Sequence, residues 1–165
     1  MLFRSFQFIL DTFNDSRNGY MFVTTPLGAK LEEQISEEGE GSARGSSNNN
    51  NINRDWDGVW DVASRITDDG WVAEIGVPTT TLRFVPSDEQ QWGINFSRQI
   101  QRKNEVVFWA PIPKAYTLTR VSLAGKLTGL HSLSQGMDLK LKPFLVTGAR
   151  QNQLTAPSST AALKS

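Results

Sequence analysis

Cysteine is absent from this chain of 165 residues, and histidine occurs once, as His131. Without cysteine there is no disulfide framework, no thiolate zinc site and no cysteine nucleophile. A single histidine excludes a histidine-cluster metal site and leaves little scope for histidine-based acid–base catalysis. Composition therefore excludes most of the common plans for an enzyme active site.

The chain also has no excess of charge and no long apolar run. Lysine and arginine total 17, aspartate and glutamate total 17, and the formal net charge is zero. No stretch reaches the roughly 18 apolar residues that a membrane-spanning helix needs, and the first twenty residues lack the pattern of a signal peptide. The sequence therefore predicts neither nucleic-acid binding nor direct insertion of this segment into a membrane.

Hydrophobic residues recur with a period of two, which is typical of β-strands. The clearest alternating run covers residues 92–100, and two pairs of runs predict hairpins, residues 6–10 with 20–23 and residues 60–66 with 71–77. The second pair is joined through Asp68-Asp69-Gly70, a strong turn signal. Residues 106–109 and 139–146 predict further strands, and one helical turn fits residues 79–84. The sequence thus predicts an all-β fold, an antiparallel β-sandwich.

Two polar segments divide this pattern. Residues 36–54 contain almost no apolar side chains and are rich in glycine, serine and asparagine, so we expect a mobile surface loop there. The tail from about Asn152 lacks periodicity, and we expect it to be frayed. We therefore predict a sandwich domain over residues 1–133, followed by the start of another region and a disordered tail over residues 134–165.

Five tryptophans are the most informative side chains. Trp60, Trp71 and Trp92 alternate in phase with aliphatic residues, which predicts core positions. Trp56 instead stands between acidic residues in a loop, and Trp109 lies in the segment FWAPIP. An indole can stack on the C–H face of a sugar ring while neighbouring carboxylates accept hydrogen bonds from its hydroxyls. Trp56, with Asp57, and Trp109 are therefore our candidate carbohydrate-binding residues.

Other polar clusters leave alternatives open. Asp11, Asn14 and Asp15 supply oxygen ligands of the kind that Ca²⁺ prefers, although the same residues are ordinary turn formers. Arg98 lies near Arg102 and Lys103 in the sequence. This basic cluster is a candidate contact for a phosphate or an acidic sugar, or else it forms a charged hairpin tip. Asp11, Asp57, Asp61 and Glu74 do not identify a convincing acid–base pair for glycoside hydrolysis.

Four segments in order, residues 6–30, 52–84, 91–113 and 122–130, resemble a known family. They read FQFILDTFNDSRNGYMFVTTPLGAK, INRDWDGVWDVASRITDDGWVAEIGVPTTTLRF, QWGINFSRQIQRKNEVVFWAPIP and SLAGKLTGL. Together they resemble the family-9 carbohydrate-binding-module-like domain at the N-terminus of large bacterial proteins that continue into an outer-membrane β-barrel-like region. The resemblance implies a β-sandwich, with structural Ca²⁺ in related modules.

The resemblance also implies context. Such domains begin with further strands upstream, so we expect this chain to be incomplete at its N-terminus. The segment LKLKPFLVTGARQ, residues 139–151, is similar to the start of the barrel-like region. The resemblance implies a periplasmic or outer-membrane-associated location and two partners, a poly- or oligosaccharide and the protein's own C-terminal barrel-like region.

Three functional hypotheses follow. The first is carbohydrate binding by a non-catalytic module of a larger protein that takes part in polysaccharide breakdown or uptake. The second is a structural or interaction domain that packs against the barrel or another partner without binding sugar. The third is a glycoside hydrolase, which is weakest because no catalytic pair is evident. Exposure of Trp56 and Trp109 on one surface would favour the first hypothesis, and burial of both would favour the second.

Overall fold

The computed structural model describes residues 5–40, 51–100 and 103–135. These residues form antiparallel β-sheets joined by turns and short 3₁₀ segments, which confirms the prediction of an all-β fold. The strands are β1 Phe6–Asp11, β2 Gly19–Thr24, β3 Lys30–Ile35, β4 Ile52–Asn53, β5 Asp61–Thr67, β6 Gly70–Gly76, β7 Glu89–Ile100, β8 Glu105–Phe108 and β9 Gly125–His131.

Seven strands form one large sheet in the order β4-β3-β2-β1-β7-β8, and β9 also pairs with β7. At its centre β1 pairs with β7 so that Phe8 lies opposite Phe96. The other edge of β7 is shared, because β8 pairs with residues 97–100 and β9 pairs with residues 89–94. Strands β5 and β6 form a separate two-stranded sheet, the β5–β6 hairpin.

One face of the large sheet packs against the β5–β6 hairpin, which produces the sandwich. Val62 and Ile75 of the hairpin lie against the main core cluster. Trp60, just before β5, is 1% exposed, and its indole N–H donates to a Glu32 carboxylate oxygen at 2.8 Å. The buried members of this cluster are Phe8, Leu10, Tyr20, Phe22, Trp60, Leu82, Phe84 and Trp92.

The opposite face of the large sheet carries a second core. Ile9, Met21 and Ile35 alternate in sequence with residues of the first face and pack against Leu118 and Val121. These last two residues belong to the segment 110–124, which crosses the sheet. The large sheet is therefore buried on both faces, which accounts for the consecutive apolar residues of β1 and β2.

An ion-pair network fastens the crossing segment. The Arg120 guanidinium donates to Glu38 at 2.7 Å and to Glu40 at 2.6 Å, and the backbone N–H of Ser122 donates to Glu38 at 2.8 Å. Arg120 also lies over the Tyr116 ring, 4.4 Å from its centroid. The segment 116–122 is thus tied to the chain just after β3.

Both predicted hairpins are present, as are the strands predicted over residues 92–100 and 106–109. The helical turn predicted over residues 79–84 is a 3₁₀ turn at Thr79–Thr81. The strands β3, β4 and β9 were not predicted. The predicted strand 139–146 and the predicted tail lie outside the described residues.

The segment expected to be a mobile loop, residues 36–54, has regular structure at both ends. Glu37–Gly39 forms a 3₁₀ turn in which Gly39 is buried, and Ile52–Asn53 pairs with β3. Residues 41–50 lie outside the described residues. Near the other predicted boundary, Leu133 packs on the core and the Gln135 amide donates to the Phe84 carbonyl. Residues from 136 onward lie outside the described residues, so the predicted domain boundary stays a prediction.

Across the described residues, none of the helices has both the length and the apolar character required to span a bilayer.

Candidate functional site

Trp56 is a packing residue rather than an exposed platform. It is half-buried against the main core, with its ring centroid 4.8 Å from that of Tyr20 and 5.8 Å from that of Phe22. Gly58 permits this close approach, because a Cβ at that position would lie 2.6 Å from the Trp56 ring. The expectation that Trp56 stands free in a polar loop is therefore wrong, although the neighbouring Asp57 is exposed.

Trp109, the other candidate sugar-binding tryptophan, is exposed. It follows β8, its side chain is 60% exposed, and its ring meets Phe96 edge-on with centroids 5.8 Å apart. A Cβ on Gly125 would lie 2.4 Å from this ring, so β9 needs glycine opposite the indole. Trp56 packs on β2 and Trp109 on β7, with β1 between these strands, so the two indoles do not form one paired platform.

A cleft opens at the tip of the β5–β6 hairpin, where the hairpin stands off the large sheet. We call this the hairpin cleft; its volume is about 430 Å³. By strand register Ile66 and Trp71 share the face of the hairpin that carries Val62 and Ile75. Among the described residues, Val62 and Ile75 pack on the main core cluster, and Ile66 and Trp71 do not. The lining residues are Phe6, Thr67, Asp69, Gly70, Trp71, Val72, Ala73 and Arg98.

Trp71 contributes an aromatic surface to the hairpin cleft. It is half-buried and lies outside the core cluster, so the predicted core position is confirmed for Trp60 and Trp92 but wrong for Trp71. The alternation that places Trp71 on the inward face was visible in the sequence. The sequence did not show that this face stands apart from the large sheet at the hairpin tip.

Arg98 contributes a cation to the same cleft. It lies on β7 opposite Phe6 of β1, and its side chain is exposed. Within the described part of the chain no hydrogen bond or ion pair engages its guanidinium, and the same is true of the Asp69 carboxylate across the cleft. The cleft therefore combines an indole with charged hydrogen-bonding groups that have no protein partner among these residues.

The predicted calcium ligands form the turn between β1 and β2. Asp11 is 2% exposed, and its carboxylate accepts the backbone N–H groups of Asp15 at 3.2 Å and Ser16 at 2.8 Å. Asp15 accepts the backbone N–H groups of Arg17 and Asn18, each at 2.8 Å. The structure thus gives both carboxylates a role in fixing the turn, and Asn14 has the left-handed conformation that such turns use.

The two carboxylates respond to this turn in opposite directions. Burial raises the pKa of Asp11, although the backbone N–H groups that it accepts act against that rise. Burial also acts to raise the pKa of Asp15, but the hydrogen bonds from Asn18 and Arg17 outweigh it and lower that pKa overall. Among residues 5–40, 51–100 and 103–135 there is no cluster of three or more histidine, aspartate or glutamate side chains placed to hold a metal ion. The Ca²⁺ site stays a prediction from the sequence and the resemblance.

No protein-family model matches the chain, and no curated protein sequence matches it significantly. The resemblance to a family-9 carbohydrate-binding module therefore remains an expectation, and the site is assigned from its geometry.

Proposed function

We propose that this protein is a non-catalytic carbohydrate-binding module and that the sugar occupies the hairpin cleft. The observation that carries the proposal is the pairing of Trp71 with Arg98 in one cleft of about 430 Å³. A cleft of this volume is within the range of small-molecule sites. Trp71 offers an apolar ring surface for a pyranose, while Arg98 and Asp69 offer a donor and an acceptor for its hydroxyls.

The charged groups of the cleft suit binding rather than hydrolysis. Glycoside hydrolysis needs two carboxyl groups about 5 to 9.5 Å apart, one of them with a raised pKa. Among the described residues that line the hairpin cleft, Asp69 is the single carboxyl group, so the cleft does not present such a pair. We therefore favour a binding module over a glycoside hydrolase.

Titration calorimetry with neutral xylo- and cello-oligosaccharides tests the proposal. A single cleft with one indole should bind weakly, at roughly micromolar to millimolar Kd. Trp71→Ala should reduce the affinity about tenfold or more, because it removes the ring surface on which the sugar packs. Trp71 is half-buried outside the core, so the variant should still unfold cooperatively.

Trp109→Ala is the matched comparison, because it removes an exposed indole that does not line the cleft. We expect it to bind sugar as the parent does. Loss of affinity in Trp109→Ala with retention in Trp71→Ala would move the site to Trp109. An absence of binding to every oligosaccharide would contradict the proposal.

A second candidate function, an interaction module without a sugar ligand, rests on β8. Among the described residues this strand pairs with β7 alone, which leaves its outer edge open. Val106 is 51% exposed and Val107 is 42% exposed, so apolar side chains stand on both faces of that edge. Open apolar edges are sites for strand addition by a partner. Val107→Lys should abolish association at this edge, measured by light scattering after size-exclusion chromatography, and leave sugar binding unchanged.

A further inference from the structure

The opposite face of the large sheet carries a second and larger cleft, about 800 Å³ in volume. We call it the sheet cleft. Its floor is a row of paired residues across three strands, with Gln7 of β1 opposite Ser97 of β7 and Ser97 opposite Phe108 of β8. Its wall is part of the crossing segment, from Ile112 to Leu118.

The groups that reach this cleft are mostly polar. Gln7 and Gln99 place amides on the floor, and Lys103, Glu105 and Lys114 stand at the rim. Among the described residues neither lysine has a carboxylate within salt-bridge distance, and the Gln7 amide has a single long contact of 3.5 Å to Ser5. Counted over the described lining residues, two ammonium groups stand against one carboxylate, which gives this part of the cleft a positive excess.

Tyr116 adds an aromatic ring whose position is fixed. It lines the cleft and is 43% exposed, and the turn that carries it is closed by a hydrogen bond from its backbone N–H to the Pro113 carbonyl at 2.9 Å. Arg120 lies over the ring at 4.4 Å and is itself held by Glu38 and Glu40. A ring that is already held in place loses little conformational entropy when a ligand packs against it.

We infer that the sheet cleft is a second saccharide site, selective for an acidic sugar whose anionic group lies between Lys103 and Lys114. The amides of Gln7 and Gln99 hydrogen-bond to the sugar hydroxyls, and the sugar ring packs against the Tyr116 ring. Polar groups of both signs together with an aromatic ring suit a sugar acid better than a bare phosphate, which needs cations alone. The sheet cleft shares no lining residue with the hairpin cleft, although Gln99 and Lys103 also line a cavity that reaches Trp71 and Arg98. The inference does not depend on the function proposed for the hairpin cleft.

Titration calorimetry of the whole chain with tri(galacturonic acid), neutral galactotriose and a sulfated galactose trisaccharide tests this inference. We expect an acidic trisaccharide to bind at least about tenfold more tightly than the neutral one, with an affinity that falls as salt is added. Comparing the affinities of the uronate and the sulfated trisaccharide shows which anionic group the two lysines bind more tightly. Equal affinity for the neutral and acidic trisaccharides, or binding of none, would overturn the inference.

Substitutions locate the binding. Lys114→Gln should weaken acidic-sugar binding about tenfold, and Tyr116→Phe should retain it because the ring remains. Lys126→Gln, an exposed lysine on β9 away from both clefts, is the control for general charge. The side-chain amide resonances of Gln7 and Gln99 should shift when the acidic sugar is added.

Two outcomes would overturn the assignment to the sheet cleft. One is an equal loss of affinity in Lys126→Gln, which would indicate nonspecific attraction. The other is loss of acidic-sugar binding in Trp71→Ala, which would place that sugar in the hairpin cleft. Failure of the neutral oligosaccharides to bind would instead contradict the function proposed for the hairpin cleft and leave this inference standing.

Discussion

The base and the tip of the β5–β6 hairpin present the same face to the large sheet and are buried to very different extents. At the base, Val62 and Ile75 are a cross-strand pair that packs against the aromatic core. At the tip, Ile66 and Trp71 are the equivalent pair, yet Ile66 is 63% exposed and Trp71 is half-buried. The base stabilises the sandwich, and the tip leaves a cleft beneath it.

This contrast shows what an alternating pattern specifies. Period-two alternation assigns each side chain to a face of its strand. It does not show how far that face stands from the neighbouring layer. In the β5–β6 hairpin the same pattern therefore produces a packed core at one end and an accessible aromatic surface at the other.

The largest effect should come from the base of the hairpin. Trp60→Ala should lower the free energy of unfolding by about 3–5 kcal/mol, since a fully buried indole leaves a cavity. The change also removes the N–H that Glu32 accepts. Urea unfolding followed by circular dichroism measures the loss, and a loss below about 1 kcal/mol would show that the base is not the anchor of the hairpin.

A matched pair of truncations tests the comparison directly. Ile75→Ala should cost about 1–3 kcal/mol, while Ile66→Ala should cost less than about 1 kcal/mol, because the second side chain already lies mostly in water. Urea midpoints of the two variants give the difference. If the two losses are equal, the tip packs as closely as the base and the hairpin cleft is closed in solution.

The smallest effect concerns the β1–β2 turn, a hairpin tip that is anchored rather than open. The protonated form of Asp11 is favoured by folding, so its contribution to stability is present below its ordinary pKa of 3.8 and is lost as the pH rises through the raised value. The contribution of Asp15 has the opposite sign: it is present above 3.8 and is lost as the pH falls through the lowered value.

Thermal melts of Asp11→Asn and Asp15→Asn over the acid range separate these contributions. Relative to Asp15→Asn, the parent Tm should rise with pH up to about 3.8, and relative to Asp11→Asn it should fall with pH above that value. If the Tm difference between parent and variant changes with pH in the same direction for both variants, the opposing pKa shifts of Asp11 and Asp15 are contradicted.

Alternation and turn residues were sufficient to predict both hairpins and the long central strand. They missed β3, because its polar residues are satisfied by partners distant in sequence. Glu33 is 6% exposed and pairs with Arg54 at 2.9 Å, while Glu32 accepts the indole N–H of Trp60. Charged residues on a strand look like a surface loop until these partners are known.

The candidate site was predicted only in part, for a related reason. Arg98 was identified as a candidate contact for an acidic ligand, and the structure places it in a cleft. Trp56 was misjudged because its acidic neighbours suggested exposure, while Gly58 allows its ring to fold back onto Tyr20. Whether each indole is buried or exposed depends on how the layers of the fold pack. The distance between layers is not encoded in the residues next to each tryptophan.

The pairing of β1 with β7 at the centre of the sheet has a consequence for synthesis of the chain. The β2 partners of β1 follow closely in sequence, but its β7 partners are roughly 80 to 90 residues further along. That separation corresponds to about 4 to 18 seconds of translation at usual ribosomal rates. During that interval Phe8 and Ile9, which the native sheet buries on opposite faces, lack the strand that completes their surroundings. Until β7 is made, the β1–β2 hairpin therefore exposes an apolar strand with one unpaired edge, and a chaperone that shields such strands would bind there.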